Sequence, residues 1–161
     1  MINRTIKKEV LKTLKFKPIT LITGARQVGK TTLCMEIMKE SGFNYVSLDD
    51  FRLRKQAIDD PELFLAEHKW PLIIDEVQYA PRLFDVIESI VNKQQFETGN
   101  NAGMYILTCS QTYELMKGVT QSMAGRVSII RMSPLSAREI NNSEDLKFSF
   151  DINEIFERTK N

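Results

Sequence analysis

Cysteine and histidine are nearly missing from the 161 residues: Cys34, Cys109 and His68 are the whole set. Two cysteines at no metal-like spacing, neither with a histidine close in sequence, argue against a disulfide framework or a zinc site and point to a reducing cytoplasm. All three read as structural residues. No apolar run approaches the roughly 18 residues that span a bilayer. The basic stretch Met1 to Lys17 lacks the continuous apolar centre of a secretory signal. An excess of one charge is missing too: 22 basic against 21 acidic residues leave +1, no field to draw the chain to nucleic acid or membrane. Repeats and low-complexity tracts are also wanting. What remains, 42% hydrophobic and 27% charged, is the composition of one globular domain long enough to bury a core.

What is present is alternation. Strand-like apolar runs lie at Ile19–Thr23, Tyr45–Leu48, Leu72–Ile74, Met104–Thr108 and Val127–Met132. Between them, Lys30 to Lys39 sets Leu33, Ile37 and Met38 along one side, and Gly42 is placed to end a helix. Pro81 opens another, with Leu83, Ile87 and Ile90 on one face. Residues 49 to 70 hold two short helical pieces broken at Pro61, and residues 112 to 125 a short helix and a glycine turn. Five strands with intervening helices predict an α/β fold, a parallel sheet covered on both faces. Ligands of such sheets bind outside the carboxyl ends of the strands.

Directly behind the first run stands Gly24-Ala25-Arg26-Gln27-Val28-Gly29-Lys30-Thr31, which fits G-x-x-x-x-G-K-S/T at every fixed position. The glycines let successive amide groups turn inward on an anion, and the following helix adds the positive end of its dipole. Lys30 would reach the β- and γ-phosphates, and the Thr31 hydroxyl would take a place on Mg²⁺. Thr32 completes the segment. A chance match in a chain this long occurs about once in two hundred, and the strand-then-helix setting makes it rarer. The plain alternative, a glycine turn with an accidental Lys-Thr, is set aside.

The third run ends in two adjacent carboxylates. Asp75 is placed to hold a water on Mg²⁺, and Glu76 to orient the attacking water as a base. That second carboxylate favours hydrolysis over transfer to a bound substrate. After the fourth run, Ser110 is the candidate to sense the γ-phosphate, with Gln111 and Thr108 as alternates and helix capping as the bland reading. Arg126, just before the last run, is either a finger for the γ-phosphate of a neighbouring subunit or a surface ion pair. Asp49 and Asp50 either line the ligand face, meet a partner or cap the next helix. The basic amphipathic "IKKEVLKTLKFK" is either a solvated face or a nucleic-acid contact, and no aromatic ladder accompanies its lysines.

Together, "LITGARQVGKTT", "YVSLDD", "DDPELF", "LIIDEVQYAPRLF", "YILTCSQ" and "SMAGRV…RMSPLSAREI" resemble a large family of prokaryotic AAA+-like P-loop ATPases over about residues 15 to 140. The resemblance implies a three-layer α-β-α P-loop domain whose five-stranded parallel sheet has the order 5-1-4-3-2. It also implies ATP and Mg²⁺ as ligands, with Lys30 and Thr31 on phosphate and metal, Asp75 on metal, Glu76 on water, Ser110 as sensor and Arg126 as a finger between copies. Two positions depart from the family pattern. Cys109 stands where glycine is usual and is expected to narrow the space near Ser110; Asn92 stands where an acid is common. Family members are typically more than twice as long, so residues 1–140 are expected to form the ATPase core. Residues 141–161, with one amphipathic patch at Ile152, Ile155 and Phe156, then form a tail too short for a lid domain.

Three functions compete on this reading. An ATPase uses Glu76 to cut the γ-phosphate. An ATP-loaded switch sets affinity for a protein partner with little turnover. A small-molecule kinase fits less well, because no arginine-rich lid segment follows and it has no need of Glu76. No residue for adenine readout can be named; the absence of an Asn-Lys-x-Asp guanine motif agrees with ATP.

Overall fold

A strand with no polar side to show water must be covered on both faces, and the apolar runs meet that condition. The computed structural model describes residues 4–110, 123–136 and 139. In it the runs become β1 (Ile19–Thr23), β2 (Asn44–Ser47), β3 (Leu72–Asp75), β4 (Tyr105–Cys109) and β5 (Val127–Arg131). Every residue of β1, β3 and β4 is buried, whereas β2 and β5 are partly exposed, as edge strands of a doubly covered sheet are. All pairings are parallel, in the order β2-β3-β4-β1-β5, which is 5-1-4-3-2 read from the other edge. Ile19 lies opposite Tyr105 and Val127, and Ser47 opposite Asp75, so all five strands deliver their carboxyl ends to one edge.

Helices α1 (Thr5–Thr13) and α2 (Lys30–Ser41) cover one face; α3 (Phe51–Asp59), α4 (Pro61–Glu67) and α5 (Leu83–Thr98) cover the other. The period-2 alternation of strand side chains divides the core accordingly. Ile22, Ile73, Ile106 and Ile130 join Val10, Leu33, Cys34 and Ile37 on the α1/α2 side. Leu21, Leu72, Ile74, Tyr105 and Leu107 join Phe64, Leu83, Ile87 and Val91 on the opposite side.

Local signals set the helix ends. Asp50 caps α3 by accepting the Arg52 and Leu53 N–H groups, so its capping role is the one realised. Asp60 caps α4 through the Leu63 N–H, with Pro61 at the first position. Helix α5 starts at Leu83, two residues later than Pro81 predicts, because an i→i+3 turn from Pro81 to the Phe84 N–H (3.1 Å) precedes it. In α1, Lys7 meets Glu40 at 2.7 Å and Glu36 at 3.6 Å. Its hydrogen bond to Glu40 raises its pKa above the ordinary lysine value, with both glutamate charges adding and partial burial opposing. Part of the basic helix is therefore neutralised within the protein. No described helix is long and apolar enough to cross a membrane. Residues 123 to 126 form the expected turn, with Gly125 at φ 82°. Residues 112 to 122, Gln111 and the tail 141–161 lie outside the described residues.

Candidate nucleotide site

The segment from Gly24 to Gly29 joins β1 to α2 at the carboxyl edge. Its first glycine is required by proximity: a Cβ there would sit 2.3 Å from the Met132 carbonyl oxygen, where the chain leaves β5. Gly29 takes φ 94°, a left-handed conformation that costs glycine little, and it precedes α2 without any side-chain cap. The first N–H groups of α2 have no intrahelical partner. Such unpaired N–H groups, with the positive end of the helix dipole, suit an anion. Lys30 is 4% exposed. Its ammonium donates to the Gly24 carbonyl at 3.1 Å and the Ala25 carbonyl at 3.0 Å, and lies 4.0 Å from Glu76 Oε1. A buried cation held by two carbonyls and one distant carboxylate is short of negative charge. Residues 24 to 32 are thus gathered around one Lys30-centred loop, with Ala25, Arg26 and Gln27 exposed at its rim.

Asp75 ends β3 on the same side of the sheet as Ile73, the side covered by α2. Its Oδ2 accepts from the Thr31 hydroxyl at 2.7 Å and the Tyr45 hydroxyl at 2.9 Å, and its Oδ1 accepts from the Thr108 hydroxyl. Burial first, then the neighbouring Asp75 charge, pushes the Tyr45 pKa up, so Tyr45 remains a donor. Thr108 in turn accepts the Glu76 N–H at 2.9 Å. Nothing in the sequence marks Tyr45 for this site, and Thr108 is marked there only as an alternate sensor. Thr108 follows the residue paired with Ile74, level with Asp75, while Tyr45 lies opposite Ile73 and reaches Asp75 along the same face of the sheet, a signal visible only once strand order and register are known. A hydroxyl and a carboxylate within 2.7 Å are hard oxygen donors suited to Mg²⁺, which takes few protein ligands and keeps phosphate and water for the rest. Among the described residues there is no group of three or more His, Cys, Asp or Glu that could hold a metal ion.

Glu76 adopts φ 58°, ψ 48°, a left-handed backbone at a non-glycine residue. Its Oε2 accepts from Ser110 Oγ at 2.6 Å and from Gln78 Nε2. Ser110 thus sits beside Glu76 at the end of β4. The expectation for Cys109 needs correction: it is 1% exposed and packs in the α3–α5 core, on the face opposite Thr108, so it does not crowd Ser110. Cys34 is fully buried, and burial, with the Asp75 charge adding and Lys30 opposing, pushes its thiol pKa up. His68 spends Nδ1 on the Phe64 carbonyl at 2.8 Å.

Arg126 is not brought to this site. It precedes β5 at the amino edge of the sheet, on the order of 15 Å of strand from the cradle, and pairs with Glu88 at 3.2 Å. A cleft of 540 Å³ does adjoin the cradle, lined by Gln27, Val28, Gly29 and Thr32 and closed by Arg4, Pro134 and Leu135. Arg4 donates to the Val28 carbonyl at 2.9 Å and the Ser133 carbonyl at 2.6 Å, a clamp that sequence reasoning did not foresee. A larger cavity of 830 Å³ lies between α4 and α5, remote from the cradle.

A parallel sheet in this order, with a glycine loop entering a helix that carries Lys30 and a strand ending in Asp75 and Glu76 beside it, defines a P-loop nucleotide-binding domain. The profile of the AAA domain family matches residues 16–141, and the chain belongs to that family of ATPase domains. Two uncharacterized proteins, from Mycobacterium tuberculosis and Mycobacterium bovis, are each 32% identical to it over 130 residues, 78% of this chain. The match covers 27% of each, so the chain spans about a quarter of these relatives. Among solved structures, a Walker-type ATPase of Pyrococcus abyssi shares the fold with a TM-score of 0.57 at 14% identity, covering 99% of this chain and 63% of its own.

Proposed function

We propose that the domain binds ATP together with Mg²⁺ and hydrolyses the bond between the β- and γ-phosphates. The observation that carries this reading is convergence. The Lys30 ammonium, the Thr31–Asp75 pair and the Glu76 carboxylate come from separate elements to one edge of the sheet, with 4.0 Å between Lys30 Nζ and Glu76 Oε1. The loop amides and Lys30 hold the phosphates, while Thr31 and Asp75 hold the metal. Bound there, Mg²⁺ would neutralise charge on the β- and γ-phosphate oxygens. Glu76 takes a proton from water as the water oxygen bonds to the γ-phosphorus. The bond to the bridging oxygen breaks, and ADP leaves with the electron pair. Ser110 keeps Glu76 in place and reports on the γ-phosphate. The base and ribose occupy the cleft closed by Arg4, Pro134 and Leu135. Residues 1–140 act as the catalytic core, and Arg126 serves the nucleotide of a second copy, since its own cradle is beyond its reach.

The test is ATP binding and phosphate release with Mg²⁺ and with EDTA. Binding that weakens on the order of 30- to 100-fold in Lys30→Ala, with release only when Mg²⁺ is present, supports the reading. Unchanged affinity in Lys30→Ala contradicts it. A second reading, a nucleotide-loaded switch, draws support from Arg126 lying away from the cradle and bound to Glu88. Tight ATP binding without release of phosphate selects it.

A further inference from the structure

The left-handed turn at Glu76 bends the chain sharply at the end of β3 into the one-turn 3-10 helix Val77–Tyr79, and this brings Gln78 back alongside the carboxylate two residues before it. Such a backbone is strained at a non-glycine residue and persists only where its surroundings impose it. What it achieves is a closed triangle. Gln78 Nε2 donates to Glu76 Oε2 and to Ser110 Oγ at 3.0 Å, and Ser110 Oγ donates to the same Oε2 at 2.6 Å. Both hydrogens of the amide are used. Glu76 Oε2 is filled by two donors, and Oε1 is left as the oxygen on the Lys30 side. The other end of the amide is unpaired: Gln78 Oε1 is buried with no hydrogen-bond partner among the described residues. A buried acceptor left that way is costly. A side chain present for packing alone would serve better as an apolar one of the same shape.

We propose that Gln78 is a positioning residue for the hydrolytic step, holding Glu76 so that Oε1, not Oε2, faces the cradle and receives the proton of the attacking water. This rests on the hydrolytic reading of Glu76. Gln78 acts through the carboxylate that its amide holds.

The test uses the whole chain, with Gln78→Met, Gln78→Glu, Glu76→Gln and the Gln78→Met/Glu76→Gln double variant. Affinity for Mg·ATP, single-turnover phosphate release and the nucleotide-free crystal structure of Gln78→Met are measured. The expected result is affinity within about twofold of wild type and release slowed about ten- to a hundredfold, the loss that a misplaced reacting group produces. No further loss follows when Gln78→Met is added to Glu76→Gln, and the crystal structure shows the carboxylate turned from its wild-type orientation. Gln78→Glu keeps the shape, removes the donor and sets a like charge beside Glu76, so it loses at least as much. It also covers the case in which Gln78→Met folds poorly.

Wild-type rates in both Gln78 variants overturn the inference. So does an equal fold loss in both Glu76 backgrounds, or an unmoved Glu76 in the crystal. Equal release from wild type and Glu76→Gln instead overturns the hydrolytic reading itself and takes the inference with it. The two failures are thus told apart.

Discussion

Asp75 is 1% exposed, and a carboxylate so deeply placed needs donors on both oxygens. Thr31, Tyr45 and Thr108 supply them. On the proposed reading Thr31 turns to the cation, which leaves Tyr45 and Thr108 to support Asp75. Thr108→Val keeps the volume and removes the hydroxyl that serves both Asp75 and the Glu76 N–H. It should destabilise the nucleotide-free protein by about 1.5–3 kcal/mol, the range for a hydrogen bond to a charged group, as read from urea denaturation. A change below about 0.5 kcal/mol would show that the contact does not hold Asp75. Asp75 and Glu76 were legible in the sequence because a carboxylate pair directly after an apolar run falls at the carboxyl end of a strand, where a parallel sheet meets its ligand. Their supporters were not. Tyr45 is 30 residues away and Thr108 is 33, and only the order and register of β2, β3 and β4 bring their hydroxyls within reach of Asp75.

The phosphate loop is fixed from outside by the start of α1 and the chain beyond β5. Arg4 ties the Val28 and Ser133 carbonyls together, and Glu139 meets the Arg4 guanidinium at 3.2 Å while accepting the Thr5 N–H at 3.0 Å and the Ser136 N–H at 2.9 Å. Burial pushes the Glu139 pKa up. The backbone donors, the Arg4 charge and the Ser136 hydroxyl outweigh it, and the net displacement is below the ordinary value of 4.5. A carboxyl whose folded pKa is lowered adds stability above its unfolded pKa and loses it as pH falls through the folded value. The stability difference between wild type and Glu139→Gln should therefore be constant near neutrality and shrink below about pH 4.5. Denaturation at a series of pH values reads it; a difference that grows on acidification would contradict the clamp. The cradle motif announced the loop in the sequence, but its fastening did not show there, because an arginine at position 4 carries no local sign of a carbonyl 129 residues later. Strand interiors were legible from apolar runs. Their ends moved by a residue or so, and the start of α5 by two, because turns decide those boundaries.

Three layers bring the nucleotide site to one edge of the sheet and Arg126 to the other. Within one copy the two cannot meet, so any action of Arg126 on a γ-phosphate requires a second copy. The mass in solution should rise on addition of Mg·ATP, and Arg126→Ala should slow phosphate release without altering ATP affinity. A monomeric mass at saturating nucleotide, with Arg126→Ala as active as wild type, would contradict a role for Arg126 between copies. Fold class was legible because strands alternate with helices; the strand order came with the family resemblance. The far position of Arg126 follows from the parallel order, since a residue before a strand and a loop after its neighbour lie at opposite edges.

The central claim is that Glu76 activates water against a phosphate held by the Lys30 loop. Single-turnover phosphate release, with Mg·ATP bound equally by wild type and Glu76→Gln, tests it most directly. The account predicts release at least about a hundredfold slower in Glu76→Gln at unchanged affinity; equal rates in the two proteins would contradict it.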